Sequence, residues 1–293
     1  MKNLNPPGEM AAGDSRIHHL IEEALLEDLG AGDITTDAIV LPELQGRGEI
    51  LAKESGILAG LEYCPLVFSI VDPDVMFHSL MEDGSLIVPG QIIARIEGAV
   101  ASILKAERTA LNLLQRMSGI ATLTRRFVDA VAGTRAKITD TRKTAPCLRV
   151  LDKRAVQIGG GVNHRFGLDD MVLIKNNHIA VAGGVGAAIE KCMSYLRQRR
   201  FSVRVEIEVR NMAELEEARK HDGIHRIMLD NFSIDNMWKA VEFINHVVEV
   251  EASGNVTLEN VRAIADTGVD FISIGALTHS PKALDVSLSV AAR

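Results

Sequence analysis

Between Thr139 and His178 the chain collects residue types suited to holding polyanions. The stretch reads TDTRKTAPCLRVLDKRAVQIGGGVNHRFGLDDMVLIKNNH. It has seven Lys and Arg against four Asp, on a protein with 32 Lys and Arg against 39 Asp and Glu. It adds His164, His178 and the triplet Gly159, Gly160, Gly161. A cationic cluster on an anionic chain repels itself unless an anion comes to meet it. The cations are of two kinds. Arg142 and Arg165 offer planar forks for carboxylates or phosphates, whereas Lys143 and Lys175 offer point charges. They sit beside glycines and at the end of an apolar run, where barrel enzymes place their chemistry.

The elements that must position these groups follow a regular rhythm past about Arg125. Apolar runs at 136–140, 171–175, 203–209, 226–230, 247–252 and 270–275 alternate with helix-like segments such as 187–199, 212–221 and 257–267. Buried runs separated by helices predict parallel strands in βα units. Six strands, with a seventh expected, fit an incomplete TIM-like α/β barrel better than a flat dinucleotide-binding sheet, because no GxGxxG follows the first strand. The runs end in Asp140 with Arg142, Lys175, Glu208, Asp230, Ser253 with Gly254, and Gly275. These are the C-terminal strand ends where barrel sites lie.

The part before the barrel reads differently. Residues 1–14 hold Pro6, Pro7, Gly8 and Gly13, and predict a loose tail. SRIHHLIEEALLEDLG predicts a helix capped by Ser15 and ended by Gly30, with Ile17, Leu20, Ile21, Ala24 and Leu25 on one face. His18 and His19 read as surface residues, since no ligand partner lies at metal spacing. GDITTDAI predicts a turn and an extended piece. From Gly46 to Gly98 short strands punctuated by Gly and Pro predict a sandwich-like α+β layer. Its VPGQIIARIEG hairpin resembles biotin and lipoate carrier domains but lacks the Lys that such a role needs. A longer helix follows from about Ser102 to Phe127, with Ile103, Leu104, Leu111, Leu114 and Met117 as its apolar stripe. Arg108, Asn112 and Gln115 share its polar face. The division expected is a tail at 1–14, an α+β domain at 15–124 and the barrel at 125–293, with the apolar ALDVSLSV packing back on the first domain.

Composition excludes several classes. With 293 residues, 47% of them hydrophobic, the chain can bury a full core. The net charge of −7 argues against a general nucleic-acid or membrane-surface binder. No apolar run approaches a membrane span in length, and the start lacks a signal-peptide core. Cys64, Cys147 and Cys192 are odd in number and far apart, so they predict neither disulfides nor a zinc site, but a reducing cytoplasm.

Three strings, TRKTAPCLR (141–149), GGGVNHRFGLDDMVLIKNNHI (159–179) and EASGNVTLENV (251–261), resemble the quinolinate phosphoribosyltransferase family and occur in that family's order. The resemblance runs from about Leu26 to about Leu288. Two departures are Asn176, where the family usually reads KDNH, and Cys147, where a Gly is more usual. The family joins the ring nitrogen of quinolinate to ribose C1 of phosphoribosyl pyrophosphate and releases pyrophosphate and CO2. It gives nicotinate mononucleotide for de novo NAD biosynthesis.

The resemblance implies roles for residues here. AERTALN (106–112) matches the family segment whose Arg, here Arg108, reaches the pyridine substrate. Arg108, Arg142, His164 and Arg165 would hold the two carboxylates, a simpler role for His164 than general acid, and Thr141 is among the substrate-binding residues. Lys143, Lys175 and Mg2+ would meet the pyrophosphate. Glu208 and Asp230 would ligate Mg2+, partly through substrate, or hold the ribose hydroxyls. Lys143, Lys175, Glu208 and Asp230 make the catalytic set. Ser253, Gly254 and Asn255, with Ser273, Ile274, Gly275 and Ala276, would cradle the 5-phosphate, and His279 would brace that loop. No nucleophile or strong base is demanded. The family forms two-fold dimers in which this Arg crosses to the neighbour's site, so a homodimer with shared sites is implied. The alternatives are a related phosphoribosyltransferase acting on another carboxylated ring, which needs fewer carboxylate-binding cations, and a non-catalytic metabolite sensor, which needs none of the catalytic set.

Overall fold

The computed structural model describes residues 15–292. The expected tail at 1–14 lies outside them. The chain forms two compact units that are not consecutive halves. The first takes the segment through Arg125 together with Thr144–Gly160 and the residues from Leu277 onward, and the second takes Arg126–Lys143 and Gly161–Ala276.

In the first unit, α1 (Ser15–Leu29) buries Ile17, Ile21 and Leu25, spaced one helical turn apart. Gly30 ends it with φ +51, its N–H donating to the Leu26 carbonyl at 3.0 Å. Ser15 is the first helical residue described rather than a cap. His18 and His19 are exposed beside Glu22. GDITTDAI does not run extended: it forms α2 (Ile34–Ile39). The Asp33 carboxylate caps that helix, accepting from the Thr36 backbone N–H at 3.0 Å and from the Thr36 hydroxyl. A good N-cap outweighs the weak helix propensity of Ile and Thr.

An antiparallel sheet follows. It is built from β1 (Gln45–Ala52), β3 (Met76–Ser79), β5 (Ile92–Ala99) and β12 (Val286–Ala292) in the order β12-β1-β5-β3, while β2 (Gly56–Ile57) pairs β4 (Leu86–Ile87). Strand β12 thus pairs along nearly all of β1, from Gly46 opposite Ala292 to Ala52 opposite Val286. Helix α3 (Cys64–Val71) and the long α4 (Val100–Ala130) belong to this part of the chain. On α4, Ile103, Leu111, Leu114 and Met117 are buried. Gln115 is not free on a polar face. Its side-chain amide donates to the Val286 carbonyl at 2.9 Å, and its backbone carbonyl accepts from the Leu284 N–H at 3.0 Å. Helix α5 (Arg149–Ile158) joins this unit too. Lys153 is 2% exposed there, so one of the seven cations of the cluster is a core residue.

The second unit is a six-stranded parallel sheet. Its strands are β6 (Lys137–Thr139), β7 (Val172–Ile174), β8 (Val205–Val209), β9 (Arg226–Asp230), β10 (Glu249–Ser253) and β11 (Phe271–Ser273), in the order β6-β11-β10-β9-β8-β7. Helices α6 (Asn176–Ala182), α7 (Val185–Arg199), α8 (Met212–Ala218), α9 (Ile234–Ile244) and α10 (Val261–Asp266) connect these strands, and α11 (Ala276–His279) follows β11. A seventh strand is reduced to one parallel bridge between Thr139 and Val162 on the β6 edge.

The buried runs hide charge. Glu206 and Glu251 are fully buried and Arg226 is 7% exposed. The register sets Arg226 beside Glu206 and Glu249. Its guanidinium donates to Glu251 at 2.7 Å and to Glu249 at 3.0 Å, and lies 3.7 Å over the Phe271 ring. Buried charge persists because it is paired and hydrogen-bonded. Among the described residues no single helix is long and apolar enough to cross a membrane.

Candidate active site

Parallel strands put all their C-terminal ends on one edge. Lys175 follows β7, Glu208 lies near the end of β8, and Asp230, Ser253 and Ser273 end β9, β10 and β11. Ser253 pairs in register with Asp230 on one side and Ser273 on the other, and Ser273 pairs with Thr139. Glu206 and Glu208 are two apart on one strand, so their side chains share a face. Lys175 Nζ lies 3.4 Å from a Glu208 carboxylate oxygen, with Lys175 47% exposed and Glu208 9%. The Lys175 backbone N–H donates to His178 Nδ1 at 2.9 Å, so His178 helps cap α6. Asn176 is the first residue of that helix and accepts from the Asn177 N–H at 2.7 Å.

Asp230 is held above the ordinary carboxylate range by burial and then by the charge of Glu208, with Lys175 and Lys143 pulling it back down. Two carboxylates and two ammonium groups therefore share one electrostatic neighbourhood. Glu208 and Asp230 are the pair that could ligate a hard divalent cation, since such an ion favours one or two carboxylates plus substrate oxygens. The strain on Asp230 is of the kind that a cation relieves.

Arg142 and Arg165 form a second centre. Arg165 is pushed below the usual guanidinium value by burial and then by the charge of Arg142. Its Nη1 donates to the Met171 carbonyl at 3.0 Å. Among the described residues neither guanidinium has an ion pair, and the buried Nε of Arg142 has no hydrogen-bond partner. Glu206 and Asp170 offset part of that repulsion, and a bound anion would offset more of it.

His164 does not extend this pair outward. Its Nδ1 accepts from the Arg165 backbone N–H at 2.8 Å, so Nε2 carries the proton. That Nε2 lies 3.0 Å from Glu206 and 3.5 Å from Glu251. Its backbone N–H donates to the fully buried Asp140 at 2.8 Å. Nδ1 is hydrogen-bonded and Nε2 faces two buried carboxylates inside the sheet, whereas the expectation placed His164 among the substrate-binding cations. Ligand atoms of His164, Glu206 and Glu251 lie within 4.8 Å of one another, but Arg226 already brings positive charge there.

The glycine loops are braced by a residue that the sequence reading did not single out. Asn231 has φ +55, donates to the Asp230 carboxylate and accepts from the Asn255 side chain, both at 2.9 Å. Its backbone N–H donates to the Ser253 carbonyl at 2.8 Å. Gly254 has φ +96, and a Cβ there would lie 2.3 Å from the Asn231 side chain. The available signal was an Asn straight after a strand-ending Asp, since Asn tolerates left-handed backbone. Ser273 Oγ donates to the Ala252 carbonyl at 3.5 Å, and the Ile274 N–H donates to the Thr139 carbonyl at 2.9 Å. Gly275 and Ala276 are half-buried, and Thr141 accepts from the Lys143 N–H at 3.0 Å.

Two expected site residues belong to the first unit. Arg108 is exposed on α4 with only a loose contact to Glu107, at 3.9 Å. His279 is exposed and bonds Ser280 at 2.6 Å, so Ser280 is the partner seen for it rather than the phosphate loop.

Residues 33–118 match the family model for the quinolinate phosphoribosyl transferase N-terminal domain, and residues 120–289 match its C-terminal domain. A decarboxylating quinolinate phosphoribosyltransferase of Nicotiana tabacum is 45% identical over 286 residues, covering 92% of this chain and 81% of that protein. A carboxylating nicotinate-nucleotide pyrophosphorylase of Arabidopsis thaliana is 45% identical over 286 residues, covering 92% and 82%. The solved nicotinate-nucleotide pyrophosphorylase of Francisella tularensis matches with a TM-score of 0.90 at 37% identity, covering 99% of this chain and all of that one.

Proposed function

The chain belongs to the quinolinate phosphoribosyltransferase family, and on that footing we propose how its own residues share out the reaction. It transfers phosphoribosyl from phosphoribosyl pyrophosphate to quinolinate with decarboxylation, a step of NAD biosynthesis. The observation that carries the assignment of residues is the Arg142–Arg165 pair, two repelling guanidiniums without ion pairs among the described residues. A ring with adjacent carboxylates relieves that repulsion and fixes the ring nitrogen's direction.

The nitrogen then attacks ribose C1 as the C–O bond to pyrophosphate breaks. Lys143 and Lys175 meet the charge that develops on the leaving group. Glu208 and Asp230 would hold Mg2+, and the fit rests on the raised carboxyl of Asp230 beside Glu208. When bound, such an ion neutralises pyrophosphate oxygens. The Ser253–Asn255 loop and the segment from Ser273 to Ala276 offer backbone N–H groups for the 5-phosphate. Loss of CO2 leaves a carbanion beside the ring nitrogen, which the new pyridinium charge stabilises.

Arg108, exposed on its helix, completes the site of a second copy in a homodimer. The free thiols Cys64, Cys147 and Cys192 suit a reducing cytoplasm. The test is release of CO2 and pyrophosphate from quinolinate with phosphoribosyl pyrophosphate, run beside nicotinate. Equal release of both products from quinolinate, and none from nicotinate, is expected. Turnover of nicotinate alone would overturn the reading.

A further inference from the structure

In the first unit, Arg116 on α4 grips Asp152 on α5 with both arms of its fork. Nε to Oδ1 and Nη2 to Oδ2 are each 2.8 Å, and Asp152 is fully buried. Each partner then makes a further bond to backbone. Asp152 Oδ2 accepts from the Ala145 N–H at 3.1 Å, and Arg116 Nη2 donates to the Thr278 carbonyl at 3.2 Å.

Those two backbone positions carry the consequence. Ala145 comes two residues after Lys143 and three after Arg142, and Thr278 comes three after Gly275. The chain leaving the cation loop and the chain leaving the glycine loop of β11 therefore end on one ion pair. The first segment needs an anchor. Pro146 and Cys147 are exposed, and Cys147 sits at φ +65, a conformation that a non-glycine residue keeps only where the surroundings enforce it. A bidentate, buried Arg–carboxylate pair fixes direction as well as distance. Loss of Arg116 leaves the fully buried Asp152 charge uncompensated.

We propose that Arg116 and Asp152 are positioning residues that hold the Arg142–Lys143 loop and the Gly275 loop in register for the transfer. The proposal rests on the roles given to those loops above. Neither residue touches the reacting atoms. Their effect passes through backbone geometry, where a misplacement of about 1 Å can cost about a hundredfold in rate.

The experiment uses the full chain with Asp152→Asn, Arg116→Lys and, as a control at another ion pair made by α5, Glu62→Gln, which removes one charge of the 3.0 Å pair with Arg154. Hydrogen exchange by mass spectrometry, well below the unfolding temperature, is read at 141–149 and 275–280 and beside kcat and KM. In Asp152→Asn, exchange should rise about tenfold in those two segments only, as expected for local opening. Its kcat should fall about a hundredfold with a smaller change in KM. Arg116→Lys keeps the charge and loses the fork, so it should fall between Asp152→Asn and wild type. Glu62→Gln should match wild type. Unchanged exchange at 141–149, or a uniform rise across the whole first unit tracking a lower Tm, would overturn the proposal. Should Asp152→Asn fail to fold, Arg116→Lys is read by the same two criteria. Exchange needs no substrate, so an inactive wild type would sink the assigned reaction while the clamp is still judged.

Discussion

His164 Nε2 lies 3.0 Å from a carboxylate oxygen of the fully buried Glu206, and Glu251 completes the group at 3.5 Å. The histidine of the VNHR string is thus a strut of the sheet interior. It links the segment that carries Arg165 to the charged core of β8 and β10.

That core predicts a pH dependence of stability. Burial, and then the charge of Glu206, push Glu251 from 4.5 up to about 7. The folded protein binds this proton more tightly than the unfolded chain does. Its contribution is fully present below about pH 4.5 and is lost as pH rises through about 7. Glu251→Gln should flatten the fall in urea midpoint across that window, whatever its absolute stability. Parallel slopes for variant and wild type would refute the assignment.

Lys143→Ala should leave the fold intact and depress turnover. A lost charge contact to a departing phosphate is worth about 3 kcal/mol or more, a hundredfold or beyond. Circular dichroism and kcat measured together check it, and near-wild-type turnover would remove Lys143 from the site.

Gly254→Ala should damage phosphate binding, because its φ of +96 and the Asn231 side chain 2.3 Å from the added Cβ forbid the native loop. Strain of about 1–3 kcal/mol is expected. The KM for phosphoribosyl pyrophosphate should rise about tenfold or more while quinolinate affinity holds. Equal losses for both substrates would count against the phosphate role.

Asp230→Asn should weaken the Mg2+ response of activity more than it weakens quinolinate binding. Burial and then the charge of Glu208 raise the carboxyl, which is what a cation would relieve. Calorimetry with quinolinate alone should give a near-normal affinity. Collapse of that affinity with an unchanged metal response would show the metal assignment to be wrong.

Arg108→Ala and Arg142→Ala, each nearly inactive alone, should complement when subunits exchange. Crossing arms leave one site of a mixed dimer with both defects and the other with none. Random mixing makes about half the dimers mixed, so about a quarter of wild-type activity should return. If exchange is verified by mass spectrometry and activity stays near zero, Arg108 serves its own chain's site.

The sequence by itself determined where the strands of the second unit lie and what stands at their ends. Asp230 and Ser253 end β9 and β10, Lys175 follows β7 and Glu208 lies next to the end of β8, because an apolar run broken by a polar residue is a local signal. It also marked Arg142 and Arg165 through charge density alone. It misread GDITTDAI, where one cap at Asp33 outweighs the propensity of the residues after it. Only the tertiary structure decided which charges face solvent and which compensate one another. Glu206, Arg226 and Glu251 look like interruptions of three apolar runs, yet register across β8, β9 and β10 joins them into one buried network with His164. Lys153 went to the core, and residues 144–160 went to the first unit through the Arg116–Asp152 pair. A charge's fate depends on which distant strand or helix comes within about 4 Å of it, and no spacing along the chain encodes that distance.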